Sequence, residues 1–175
     1  MRWVVFAIAI LSAPVALADS HQDGGEAQDL PKWTVQVDPL TLALGFVHVQ
    51  FERALSDKIS VYAGPSARLW DLLGEDDDLD YFGLGLEAGI RYYVRGRAPV
   101  GTWLMVRGIG AYLRDEDSNT AFGGYVSALV GHHFVLGKRW VLGAGLGVQY
   151  LHYSVEGSGT EGILPAAHTT VGAAF

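Results

Sequence analysis

Four groups of residues in this 175-residue chain have side chains that could do chemistry together. His152-Tyr153-Ser154 sets an imidazole two residues before a hydroxyl. On an extended backbone alternate residues share a face. His152 could therefore take the proton of Ser154 as the hydroxyl attacks an ester, the arrangement of a base and its nucleophile. The bland alternative is a pair of polar residues at a polar boundary. Glu75-Asp76-Asp77-Asp78 with Asp80 offers carboxylate oxygens of the kind hard divalent cations bind, but it lacks the glycine and terminal glutamate of a calcium loop, and a solvated acidic loop is the reading adopted. His132 and His133 are neighbours, point to opposite faces of a strand and cannot chelate one ion. No metal and no cofactor is expected. The fourth group is Glu52, Arg68, Glu87, Arg91 and Arg107, isolated charges within segments that otherwise alternate between apolar and small or polar residues.

Those segments are strands by their period of two. The clearest is 81–94, where Phe82, Leu84, Leu86, Ala88, Ile90, Tyr92 and Val94 share one face and Gly83, Gly85, Glu87, Gly89 and Arg91 the other. A polar face made of glycine with one Glu and one Arg suits a narrow, crowded interior better than a solvated sheet. In 59–70, Ser60, Tyr62, Ser66 and Arg68 oppose Ile59, Val61, Ala63, Ala67 and Leu69. In 140–154, Gly143, Gly145, Gly147 and Gln149 oppose Trp140, Leu142, Ala144, Leu146, Val148 and Tyr150. Further strands are read at 32–37, 41–54, 102–113, 122–136 and 164–175. The alternation is weak in 102–113, where an inward Arg107 takes Trp103 and Met105 inward with it.

Both ends of the chain are informative. Met1-Arg2, an apolar run from Trp3 to Leu17 and Ala16-Leu17-Ala18 read as a signal peptide cleaved after Ala18. The run is shorter than the roughly 20 residues of a spanning helix. Residues 19–31 are polar and without period, a flexible lead-in, and 32–175 is one domain. The chain closes on Val171, Ala173 and Phe175 on one face, and a final alternating strand ending in an aromatic resembles the last strand of bacterial outer-membrane barrels. There is no cysteine, so no disulfide holds an exported domain of this size. The net charge of −7 argues against nucleic acid, whose binding needs a basic patch.

Loop lengths fix a topology. Counting back from Phe175, the segments 155–163, 114–121 and 71–80 are long, and 137–139, 95–101 and 55–58 are short turns. Single-chain barrels keep long loops outside and short turns in the periplasm, with an even strand number. The expectation is an all-β, eight-stranded antiparallel up-and-down transmembrane barrel in the bacterial outer membrane. So small a barrel is filled by side chains, here by Glu52, Arg68, Glu87, Arg91 and Arg107, whose charges pair because an unpaired buried charge is costly.

The mature chain resembles small outer-membrane barrels of the OmpX and OmpA transmembrane type. Asp38-Pro39-Leu40, the phrase from Phe51 to Lys58 and Gly64-Pro65 resemble an uncharacterised bacterial barrel family with a proline-led first hairpin, with Phe51 where tyrosine is more usual. His152-Tyr153-Ser154 at the outer end of the seventh strand is similar to the His-x-Ser of the outer-membrane lipid A 3-O-deacylase. That resemblance implies His152 as base and Ser154 as nucleophile on the lipid-facing side. The chain departs from it in having Val155 where that family has asparagine and Leu164 where its glutamate is expected, with Glu156 or Glu161 able to substitute only through a different loop geometry.

The leading expectation is a non-catalytic outer-membrane barrel with a structural or interaction role. Its partners would be outer-membrane lipid and lipopolysaccharide, the barrel-insertion machinery that reads Val171, Ala173 and Phe175, and an unidentified extracellular ligand at the acidic loops. The alternatives are a lipid esterase using His152 and Ser154, and a soluble periplasmic barrel holding an apolar ligand.

Overall fold

The alternating segments form eight antiparallel strands that close in sequence order in a computed structural model of the chain, which describes residues 30–43, 45–68, 82–114, 120–137, 139–155 and 158–175. The elements are β1 (Trp33–Val37), α1 (Pro39–Ala43), β2 (Phe46–Ala54), β3 (Ile59–Arg68), β4 (Phe82–Arg97), β5 (Val100–Arg114), β6 (Thr120–Leu136), β7 (Trp140–Val155) and β8 (Ser158–Ala174). The all-β, eight-stranded up-and-down barrel read from the sequence is the observed fold. Residues 1–29, and with them the segment read as a signal peptide and most of the segment read as a lead-in, lie outside the described residues, as does the acidic run Glu75–Asp80.

Closure carries a stagger. A row of cross-strand partners starting at Trp33 passes through Arg53, Val61, Ile90, Val106, Ala128 and Val148 to Pro165. Trp33 itself exchanges backbone hydrogen bonds with Phe175. The circuit thus returns to the eighth strand ten residues away from where it began. With eight strands, that stagger tilts them by about 40° from the barrel axis.

The strands alternate as their sequences require. Leu84, Leu86, Ile90, Leu104, Val106, Val126, Val130, Leu142, Leu146 and Val148 are exposed on the outside. Thr34, Gln36, Gln50, Glu52, Ser60, Glu87, Arg91, Arg107, His133, His168 and Thr170 are buried inside. Trp103, Met105 and Arg107 all point inward and are buried, which settles the facing of β5.

Four local expectations are corrected. The first strand hairpin does not resume at Thr41: residues 39–43 are a single helical turn and β2 begins at Phe46. The Asp38 carboxylate accepts the N–H of Leu40 at 3.0 Å and of Thr41 at 3.3 Å. It is a helix N-cap with proline following at the first helical position, where a missing N–H costs nothing. The segment 95–101 is mostly strand, with the turn confined to Ala98-Pro99. The loop 114–121 is shorter than expected, since Arg114 belongs to β5 and Thr120 and Ala121 to β6. Most of 155–163 is also strand. β7 and β8 form a long hairpin whose ladder runs out to Val155 and Ser158, because the glycines that resemble a loop are accommodated by pairing.

Candidate functional site

Two places in the fold gather chemistry-bearing side chains: the barrel interior and the outer end of the β7–β8 hairpin. Inside, Glu52 on β2 stands with an oxygen 2.8 Å from an Arg91 nitrogen on β4. Thr34 Oγ1 donates to Glu52 Oε2 at 3.2 Å and Tyr93 Oη to Glu52 Oε1 at 3.3 Å, with Gln36 and Ser60 also bonded to this carboxylate. The second carboxylate, Glu87, accepts from Tyr62 Oη at 2.9 Å, Gln50 Nε2 at 3.2 Å and Arg107 at 3.3 Å, and lies 3.0 Å from His48 Nδ1. Arg91 Nη1 and His48 Nδ1 lie close to these carboxylates but out of line for a hydrogen bond, so Glu52 and Arg91 meet mainly as charges. Arg91 also donates to Gln50 Oε1 at 3.1 Å and lies over the Tyr62 ring, 4.4 Å from its centroid.

The third carboxylate is Asp38, at the start of α1. Its Oδ2 lies 2.8 Å from His168 Nδ1 on β8, while His168 Nε2 is 3.2 Å from Arg91. One tautomer serves both contacts: Nδ1–H donates to Asp38 and the Nε2 lone pair accepts from Arg91. Arg107, 3.1 Å from the same Nδ1, then has no lone pair to meet there and keeps its bond to Glu87. His133 sits between Tyr93 Oη and Thr170 Oγ1, each at 3.2 Å. Trp103 lies against it, with ring centroids 5.4 Å apart. Of the five charges singled out in the sequence, Glu52, Glu87, Arg91 and Arg107 meet in this cluster, and the Arg68 side chain lies outside the described residues.

Sequence reasoning missed Asp38, His48, His133 and His168 as members. The inward parity of the three histidines is legible in their strands, whereas Asp38 lies in none. The partners of all four are not legible, because these are set by which strands close the barrel. What this packed arrangement can do chemically is hold the strands in register. Its carboxylates are already engaged with donors, among them the hydroxyls of Thr34, Ser60, Tyr62 and Tyr93.

At the outer end of β7, His152 faces outward and pairs across the ladder with Glu161 on β8. His152 Nδ1 lies 3.4 Å from Glu161 Oε2, and the Tyr150 hydroxyl donates to Glu161 Oε1 at 2.6 Å. Both His152 and Glu161 are more than half exposed. The carboxylate that the sequence could place near His152 only through a loop is thus delivered by strand register. Ser154 pairs with Gly159 in the same ladder, and its side chain lies outside the described residues. His132 faces outward beside Thr102, 2.9 Å away, while its neighbour His133 is inside. Among the described residues no three His, Cys, Asp or Glu are placed to hold a metal ion. No helix among them is long and apolar enough to cross a membrane, which says nothing of a β-barrel.

No known protein family, curated protein or solved structure matches the chain. The reading of its function therefore rests on the barrel itself.

Proposed function

We propose that this chain is an outer-membrane β-barrel protein with a structural or interaction role and an interior closed by side chains. The observation that carries this reading is the inversion of ordinary packing. Charged Glu52, Glu87, Arg91 and Arg107 are buried inside, while leucines, valines and isoleucines cover the outside. In water so broad an apolar exterior is an aggregation hazard, whereas in lipid it is the stable surface. A closed ladder also leaves few backbone groups to be stranded in hydrocarbon. Trp140 and Tyr150, both exposed on the outer face of β7, are ten residues apart. At the strand tilt this is about 25 Å of height, the size of the apolar band of such barrels. Val171 and Phe175 present the outward face of the last strand, in keeping with recognition by barrel-insertion machinery. Lipid and lipopolysaccharide are then the surroundings, and the outer loops the place for an extracellular partner.

The test is fractionation combined with gel mobility before and after boiling in detergent. Outer-membrane location with a heat-dependent shift supports the reading. A soluble protein with no shift overturns it; the apolar-ligand alternative requires the apolar faces to lie inside, and they lie outside.

A second reading is favoured by one observation, the Tyr150–Glu161–His152 chain of contacts. A carboxylate that orients an imidazole is what a serine esterase needs. In this reading Glu161 holds His152, and His152 deprotonates Ser154 for attack on an acyl ester of an outer-leaflet lipid. Analysis of lipid A acyl chains from cells carrying the wild type or Ser154→Ala decides it. Identical acylation in both rules the esterase out.

A further inference from the structure

β1 stops at Val37, while its neighbours run on, β8 to Ser158 and β2 to Phe46. The β1–β8 ladder ends at the pair Val37 and Val171. Beyond it no strand among the described residues pairs with the edge of β8 on that side, and the five residues of α1 stand beside it instead. The direction of the free backbone groups follows from two contacts. Phe175 exchanges bonds with Trp33, and the Thr169 N–H donates to Asp38 Oδ1 at 3.3 Å. Alternate residues of an antiparallel strand bond to the same side, so Ala167, Pro165 and Ile163 come next along this edge.

The gap is closed by side chains rather than by a ladder. Asp38 takes the Thr169 N–H and hydroxyl, and the Leu40 N–H donates to Thr169 Oγ1 at 3.0 Å. Pro165 has no N–H, so the edge is blunted against an added strand where it is open. Behind the edge, Leu164, Ala166 and His168 point inward. Ala166 and His168 are buried, yet Leu164 is 37% exposed, as an interior side chain is when the wall beside it is incomplete. In front of the edge, Leu40 and Leu42 of α1 are exposed.

The height of the gap identifies what meets it. Ile163 pairs with Tyr150 and Ala167 with Leu146. The open edge therefore lies within the span between Trp140 and Tyr150, the apolar band of the exterior. We propose that this breach between β8 and α1 is a binding site for one acyl chain of an outer-leaflet lipid, which lies along Leu42 and reaches Leu164 and Ala166. Leu42 and Leu164 offer exposed aliphatic surface there, the proline withholds a donor, and Arg91 and Arg107 meet His168 deeper inside. The site rests on the membrane reading above.

The experiment uses the refolded mature protein in micelles of perdeuterated dodecylphosphocholine doped with protonated lysophosphatidylcholine, and reads nuclear Overhauser effects from acyl methylenes to protein methyls. Effects at Leu164 and Ala166, with none at Ala174 (inward and buried near the opposite end), are expected. The effect at Leu164 should be lost in Ala166→Trp and the effect at Ala166 in Leu164→Arg, while that at outward-facing Ala128 persists. Leu164→Arg substitutes an already exposed side chain, so it stands as the test if Ala166→Trp does not refold. Effects confined to outward methyls, or contacts at Leu164 from a second copy of the protein, overturn the proposal. A protein that needs no detergent and shows no heat shift fails the membrane reading instead, so the two failures are distinguishable.

Discussion

Asp38 Oδ2 and His168 Nδ1 stand 2.8 Å apart across 130 residues of chain. The contact joins the first turn of the barrel to its last strand at the place where β1 is too short to do so. Its carboxylate also caps α1 and holds the Thr169 N–H. Asp38→Ala strands a buried imidazole and several N–H groups at once. Each unsatisfied buried group costs about 1–3 kcal/mol, and an N-cap about 1 kcal/mol. A loss of about 3–5 kcal/mol is expected, with Asp38→Asn losing less because its amide oxygen still caps the helix. Urea unfolding of the refolded barrel measures both, and equal losses would show that the cap contributes nothing.

How much of this was legible in the sequence differs by residue. The barrel was, since period-two patterning and the order of long and short connections leave few other topologies. Asp38-Pro39-Leu40 reads only as the short connection between the strands 32–37 and 41–54, although Asp before Pro is also the signature of a capped helix start. The pattern could not decide, because either conformation breaks β1. Ser158 to Ile163 reads as a loop from its glycines, and becomes strand only because β7 provides a ladder. The Glu161–His152 contact was hidden for that reason. The interior histidines look like isolated polar residues in their strands, and Asp38 is far from His168 in sequence. Which charges meet depends on register around a closed circuit, and no local pattern encodes that.

The Glu52–Arg91 pair is fully buried. Removing one partner leaves the other charged and unmatched, which costs about 3–5 kcal/mol, whereas apolar replacement of both is often nearly neutral. Arg91→Leu and Glu52→Leu should each destabilise strongly. The double variant should recover a large part of the loss, less the bonds that Thr34, Gln36 and Gln50 forfeit. A double-mutant cycle by urea unfolding reads the coupling. Additive losses would mean that the two charges do not act as a pair.

Trp103 fills the interior over two glycines. A Cβ added at Gly145 would meet Trp103 Cη2 at 2.4 Å, and one at Gly131 would meet Trp103 Cζ2 at 2.3 Å. The indole is fully buried and cannot swing away. Gly145→Ala should therefore cost about 1–3 kcal/mol, the usual penalty of overpacking. Trp103→Phe in the same chain should relieve part of it, since the smaller ring retreats from the clash. At Gly131 the relief should be weaker, because the Ala144 carbonyl oxygen is also 2.4 Å away. Stabilities of the four variants give the comparison, and equal relief at both positions would contradict the packing described.

Leu146 is 68% exposed on the outer face of β7, between Trp140 and Tyr150. The two solvents demand opposite outcomes from Leu146→Arg. On a water-facing surface the change is within about 0.5 kcal/mol. Near the middle of a bilayer an arginine on the lipid face of a barrel costs about 2–4 kcal/mol, falling to about 0–1 kcal/mol at the interfaces. Trp140→Arg, at the end of the band, gives up an aromatic but leaves its charge close to water, so its electrostatic cost is the smaller. Leu146→Arg should consequently lose about 2–4 kcal/mol when unfolding is followed from phospholipid vesicles. Moving the arginine to Val148 and then to Tyr150 should shrink the loss with each step outward. A loss that does not depend on position along β7 would mean that no hydrocarbon layer surrounds this face.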